Sequence, residues 1–250
     1  MKMKKLVAVL ALISFNVHAA PDCRELPSCE SLGFICSAEE CGDLKALSCP
    51  FDLSKKACFP KEKECEVGDI LYNDLKCHDA SCGKKPIGVV YDVEQRLAVP
   101  LARISGHQWS STLADIPDLE NCTTTTAKTT CGIDGKANTL ALIKYGQENN
   151  VSFLAAEYCN NLVINGEPTG TWWMPSVKEL YTIGQNYITI KNVFLGHNLA
   201  FYSGLSYTPT STELNAEHYI LVEVKTGSVF GGNYYSDKSK DFSTLCVTRY

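Results

Sequence analysis

The cysteines constrain this chain more than any other feature. Thirteen occur in 250 residues, and nine of them crowd between Cys23 and Cys82. That group contains no Cys-x-x-Cys pair, and its one histidine, His78, directly follows Cys77. Structural zinc sites present ligands two to four residues apart in paired clusters, so the spacing does not suit metal. Such density reads instead as disulfides formed in an oxidising compartment. Residues 20–83 hold few aliphatics and cannot build a large core, so this segment is expected to rely on crosslinks. Nine is odd, so one thiol stays free or pairs outside the segment, and spacing selects no connectivity. The drop in cysteine density after Cys82 marks the expected boundary, leaving residues 84–250 for one globular domain.

The N-terminus points to the same compartment. Lys2, Lys4 and Lys5 precede the apolar run Leu6–Phe15, which is too short to span a bilayer, and Val17-His18-Ala19 offers a small-residue cleavage site. Residues 1–19 therefore read as a signal peptide. Ala20-Pro21-Asp22 before Cys23 is not a lipoprotein pattern. Subtracting the three signal lysines from 23 basic residues leaves 20 against 28 acidic ones, a net charge of −8. That balance argues against nucleic acid or an anionic membrane as partner. No later apolar stretch is long enough to enter a bilayer, so no membrane insertion is expected after cleavage. The expected location is the cell surface, the periplasm or the medium, as a secreted protein.

Along residues 84–250, Ile87–Asp92 and Leu97–Ile104 read as an antiparallel hairpin, with Pro100 at an edge or bulge. Gly106–Asn121 reads as irregular. Cys122 and Cys131 bracket a threonine-rich loop that their own bridge would close. Helical periodicity follows over Asn138–Tyr145, with Gly146 as a stop, and over Phe153–Leu162, with Ala155, Cys159 and Leu162 on one stripe. Then comes Gly170-Thr171-Trp172-Trp173-Met174-Pro175-Ser176-Val177-Lys178-Glu179-Leu180. Pro175 ends any strand ladder, and Ser176 with Glu179 has capping-box spacing, so the stretch predicts a buried strand end turning into a helix. Beyond Asn186 the pattern reads as strands and loops: Leu199–Ser203, a hairpin of His218–Val224 with Ser228–Phe230, and a closing strand Thr244–Arg249. Helices segregated from antiparallel strands make the fold class α+β.

Four stretches carry a resemblance. They are Ala155-Ala156-x-x-Cys159-x-x-Leu162, Gly170-x-Trp172-x-Met174-Pro175-Ser176-x-x-Glu179-Leu180, the run Tyr207–Glu213, and Leu245-Cys246-Val247-Thr248-Arg249. Together they resemble the bacterial Lcl-type C-terminal domain over most of residues 84–250. Met174 departs from that family's usual leucine, and the aromatic of its second motif lies upstream, as Tyr207. The resemblance implies a C-type-lectin-like fold: a small twisted antiparallel sheet, two or three helices, and a long loop region between late strands. It also implies first and last strands side by side, and a bridge from the first long helix to the last strand, joining Cys159 to Cys246. Members occur on exported bacterial proteins as adhesion or ligand-recognition modules.

On that basis the expected ligand-binding residues are Tyr207, Ser211, Glu213, Asn215, Tyr234 and Tyr235, on a loop face built from Asn186–Asn215 and Gly231–Asp241. Clustered tyrosines, Tyr202 included, present rigid area and a hydroxyl to a ligand, and serve equally as cross-strand core. Trp172 and Trp173 suit core packing or a sugar platform, and Trp109 stands between exposure and burial. Glu213 with Asn215, and Glu167 before Pro168, raise calcium, but Thr169 lacks a side-chain carbonyl, and no metal or cofactor is expected. His78, His107, His197 and His218 stand in no zinc or nucleophile motif, and Thr208 follows Ser206 where a nucleophile elbow needs glycine. Cys159 and Cys246 fit a structural bridge better than an oxidase pair. The expectation is an exported recognition or adhesion protein that binds an extracellular glycan or protein and is not an enzyme. The alternatives are an enzyme on a lectin-like fold, and a cysteine-rich inhibitor or structural surface protein.

Overall fold

A computed structural model describes residues 36–37, 46–49, 52–58, 62–78, 84–102, 105–123, 130–199, 201, 207–225 and 235–250. The expected signal peptide, residues 1–19, lies outside them. The chain divides into two units, Met1–Phe59 and Pro60–Tyr250. In the first, β1 (Cys36–Ser37), β2 (Ala46–Cys49) and β3 (Asp52–Cys58) form an antiparallel sheet in the order β1-β3-β2.

The boundary differs from the one drawn at residue 83. Strands β4 (Glu62–Lys63), β5 (Ile70–Tyr72) and β6 (Cys77–His78) belong to the second unit, in a six-stranded sheet with β7 (Pro86–Asp92), β8 (Leu97–Pro100) and β14 (Thr248–Arg249). The physical reason is that β5 pairs with β7, setting Ile70 against Val89 and burying Leu71 completely. A disulfide joins Cys65 to Cys77 inside this unit. These two cysteines inflate the count of the first segment while closing a loop of the second.

The sheet order is β14-β8-β7-β5-β6-β4. In β7 and β8, Val89, Tyr91, Leu97 and Val99 face one apolar cluster, whereas Val90 and Ala98 face another. Alternate side chains point to opposite faces of a strand, so this sheet is covered on both sides. Pro100 ends β8, beyond the two residues that β14 pairs, so its missing N–H breaks no ladder there. The last strand thus lies beside the second strand of the first hairpin rather than the first.

Four α-helices are described. Helix α1 (Gly135–Asn149) begins at Asp134, whose side chain accepts from the Ala137 N–H, and ends at the left-handed Asn150. It runs past Gly146, which sequence marked as its stop. Gly146 is there for close packing, since an added Cβ would lie 3.1 Å from the Phe153 ring. Helix α2 (Leu154–Asn161) buries Ala155, Ala156 and Cys159. Helix α3 (Val177–Tyr181) starts at the Ser176–Glu179 capping box. Helix α4 (Tyr187–Gly196) occupies ground that sequence assigned to strands and loops. Its stripe of Tyr187, Ile190 and Phe194 is regular. However, β-branched neighbours and the exposed Ile188 and Leu195 obscure it.

A second sheet takes β10 (Tyr207–Glu213), β11 (His218–Glu223) and β12 (Tyr235–Asp237) in that order, all antiparallel. The partner that follows β11 is therefore β12, and Ser228–Phe230 lies outside the described residues. A two-stranded ribbon pairs β9 (Ser105–Gln108) with β13 (Asp241–Thr244), so part of the stretch read as irregular is a strand. Leu199 and Phe201 pack in the first core without forming a strand. The closing strand is broken: β13 stops at Thr244, Cys246 sits in the gap, and Val247 pairs with Trp173 through two 2.9 Å backbone hydrogen bonds.

Disulfides tie these layers together. Cys159 on α2 bonds Cys246 across 87 residues, and Cys122 bonds Cys131 across nine. Glu167, 3% exposed, holds the turn before Trp172 by accepting from the Ile164 and Asn165 N–H groups and from Trp172 Nε1 at 2.8 Å. Burial alone would raise its pKa, but these donors outweigh burial and hold the carboxyl below its ordinary value.

Two outcomes are expected. Replacing Cys159 and Cys246 together by serine should lower unfolding stability by about 3–5 kcal/mol in denaturant titration, because the bridge closes a long loop. The same variant should lose residues after Thr244 to proteolysis first. Glu167 has a depressed folded pKa, so its stabilisation is present above the unfolded value of about 4.3 and is lost as pH falls through the folded value. Glu167→Gln should therefore cost about 1–3 kcal/mol at neutral pH and leave a flatter loss of melting temperature on acidification.

Candidate functional site

Five of the six residues expected at the site are described, and these five do not converge. Tyr207 begins β10, half-buried, whereas Asn215 lies in the turn beyond its other end. Six residues of strand separate Tyr207 from Glu213, about 20 Å at the usual rise per residue. Ser211 is fully buried: its N–H donates to Pro175 O at 2.7 Å, and its Oγ and carbonyl both accept from Asn138 Nδ2 at 3.3 Å. Glu213 is fully buried and paired with Lys238, whose side chain is equally inaccessible. Ser211 and Glu213 thus face the interior, because the motif read as a loop is a strand packed under α1 and α3. Tyr234 lies outside the described residues.

Two of the six come together, with a third residue that sequence did not select. Asn215 opens the turn between β10 and β11, and its Oδ1 accepts from the Glu217 and His218 N–H groups, both at 2.9 Å. Those two donors fix the amide orientation, leaving Nδ2 pointing away as a donor. His218 Nδ1 also lies 3.0 Å from Oδ1. A carbonyl oxygen only accepts, so Nδ1 carries the proton and Nε2 is the acceptor of the neutral ring. Pairing of His218 with Asp237 places Tyr235 beside the imidazole, which it meets edge-on with centroids 4.6 Å apart. Tyr235 is 42% exposed and Asn215 is exposed.

The arrangement gathers an aromatic face, an amide donor and an imidazole acceptor at one end of the second sheet, near Glu217 and Asp237. Its polar groups are already held in place by the protein, so little ordering would be left for a ligand to pay for. A ring face with flanking hydrogen-bonding groups suits a polyhydroxylated or peptide ligand. The signal for His218 was available in sequence. It stands three residues after Asn215, the spacing of an asparagine turn, and opens a strand.

The other polar groups singled out by sequence serve the fold. Glu179, fully buried, accepts from Ser176, Gly135 and Trp173, and burial pushes its pKa up. Trp172 and Trp173 are core residues. Trp109, 1% exposed, donates to Thr210 O and stacks on Tyr219. Glu167 and Glu213, raised as calcium candidates, direct their oxygens at protein donors, and among the described residues no group of three His, Cys, Asp or Glu gathers for a metal. Elsewhere in this unit, an open cavity of about 610 Å³ lies beside the Cys65–Cys77 bridge. Arg96 sits over the Tyr250 ring at its rim. Among the described residues no helix is long and apolar enough to cross a membrane.

No known protein family matches the chain, and no curated protein is similar to it. A solved structure is: a fimbrial protein from Bacteroides ovatus superposes with a TM-score of 0.51 at 16% identity, over 74% of this chain and 49% of that one. At this identity the likeness concerns the fold, and the chain spans about half the length of the fimbrial protein.

Proposed function

We propose that this chain is an exported bacterial recognition or adhesion module that binds an extracellular glycan or protein through the Asn215–His218–Tyr235 end of its second sheet. The carrying observation is that cluster: an exposed ring whose imidazole neighbour is oriented by an amide, itself fixed by two backbone donors. Disulfide bonding supports residence in an oxidising compartment, at the cell surface or in the periplasm. The fold likeness to a fimbrial protein agrees with a surface role.

Within this proposal the second unit is a C-type-lectin-like domain of the Lcl-type kind. The Cys159–Cys246 bridge from helix to chain end supports that assignment, whereas the pairing of β14 with β8 departs from the expected neighbour. A binding role rather than catalysis is supported by the buried carboxylates. Glu167, Glu179 and Glu213 are each occupied by protein donors and are not poised to exchange a proton with a substrate.

The test is an array of glycans and extracellular-matrix proteins probed with the full exported chain. Once a ligand is found, His218→Ala and Tyr235→Ala should each weaken it about tenfold, the usual effect of truncating a binding hot spot. Melting temperature should fall by no more than about 3 °C, since surface substitutions stay near 0.5 kcal/mol. Wild-type affinity in both variants would refute this placement of the site.

A further inference from the structure

The contact between Lys238 and Glu213 joins two side chains that are both fully buried. Lys238 occupies the turn after β12, where its N–H donates to Glu217 O at 3.0 Å and its carbonyl accepts from Ser110 N–H at 2.9 Å. Its Nζ donates to Glu213 Oε1 and, at 2.6 Å, to Ala114 O. The Trp109 ring covers that amine from 4.9 Å. On the other side of the carboxyl, the Ile116 N–H donates to Oε2 at 3.3 Å.

These contacts supply what condensation of an amine with an acid requires. The amine nitrogen is hydrogen-bonded to the carboxyl oxygen Oε1, so the two groups are held side by side and need no diffusional encounter. The Ile116 N–H faces an oxygen on which negative charge develops when the carboxyl carbon becomes tetrahedral. The Trp109 ring covers the amine, and the Lys238 side chain is inaccessible to water. Burial also disfavours both charges: it raises the carboxyl pKa, lowers that of the amine, and so favours passing one proton along their hydrogen bond. The neutral amine and the neutral acid are the reactive forms, and both shifts run toward them.

We propose that Lys238 Nζ and Glu213 Cδ condense into an intramolecular amide, so that this pair is a self-modification site. The Nζ–Cδ bond forms and the Cδ–hydroxyl bond breaks. The departing hydroxyl takes one amine proton and leaves as water. No oxidant, reductant or activated donor enters the balance. The product keeps a carbonyl oxygen for the Ile116 N–H and an amide N–H for Ala114 O, and it removes two charges from the interior. Mechanically it clasps the end of β10 to the turn after β12, across the base of the segment that carries Asn215, His218 and Tyr235.

Intact-mass spectrometry of the purified exported chain decides the matter, after full reduction and with its N-terminus sequenced. The expected mass is one water below that of the sequence. Digestion should release a branched peptide in which residues 213 and 238 are joined. Glu213→Ala and Lys238→Arg should each restore the full sequence mass. Either variant could fold poorly, so the wild-type mass is the decisive reading. A full sequence mass for wild type would overturn the proposal and leave an ordinary buried ion pair. A missing water that maps to any other position would overturn it equally.

Discussion

The second unit depends on one buried carboxylate. Glu179 accepts from the Ser176 N–H at 2.8 Å and from the Gly135 N–H at 3.1 Å, with Trp173 Nε1 at 3.2 Å. Those donors belong to the starts of α3 and α1 and to the bridge that closes against Val247. Its backbone carbonyl meanwhile receives the Tyr91 hydroxyl at 2.7 Å from near the end of β7. One residue thereby sets two helix starts against the sheet between them. The geometry also explains Gly135, where an added Cβ would come within 2.7 Å of Met174 O. Leaving any of these donors unmatched in the interior would cost about 1–3 kcal/mol each.

The same device recurs. Glu167 collects N–H groups from a turn and an indole, and Glu213 collects the Ile116 N–H and a lysine. In each case an acid sits where irregular backbone would otherwise bury unpaired donors. The long segment 109–123, which has no helix or strand, needs this most. Ser110 N–H bonds Lys238 O, Ile116 N–H bonds Glu213, and Cys122 N–H bonds Glu213 O. Backbone without secondary structure becomes tolerable in a core when side chains answer its polar groups.

Which parts were legible in sequence follows from how local their causes are. The capping box and the Ile87–Leu97 hairpin rest on contacts within a few residues, and they read correctly. Helix α4 did not, because packing overrode the β propensity of Ile188, Thr189, Ile190 and Val193. The unit boundary was misplaced because cysteine density reports composition, while the pairing of β5 with β7 reports tertiary contact. Ser211 and Glu213 misled for a related reason. A run of threonine, serine and glutamate looks solvated until the strand that holds it is covered by α1, and no local pattern announces that cover. Asn215 and Tyr235 could be named singly, but their meeting through His218 depends on the register of β11 against β12.

The pairing of residues 246–248 with partners far back in the chain has a consequence for the order of folding. Val247 pairs with Trp173, Thr248 with Ala98, and Cys246 bonds Cys159. Residues near 98, 159 and 173 therefore wait for residues 246–248 before their final partners exist. A chain emerging from the ribosome cannot complete this unit while residues 246–248 are still inside the tunnel. High sequence separation between partners slows folding. Here the core stays open until residues 246–248 reach it, and the Cys159–Cys246 bond then closes what those pairings have brought together.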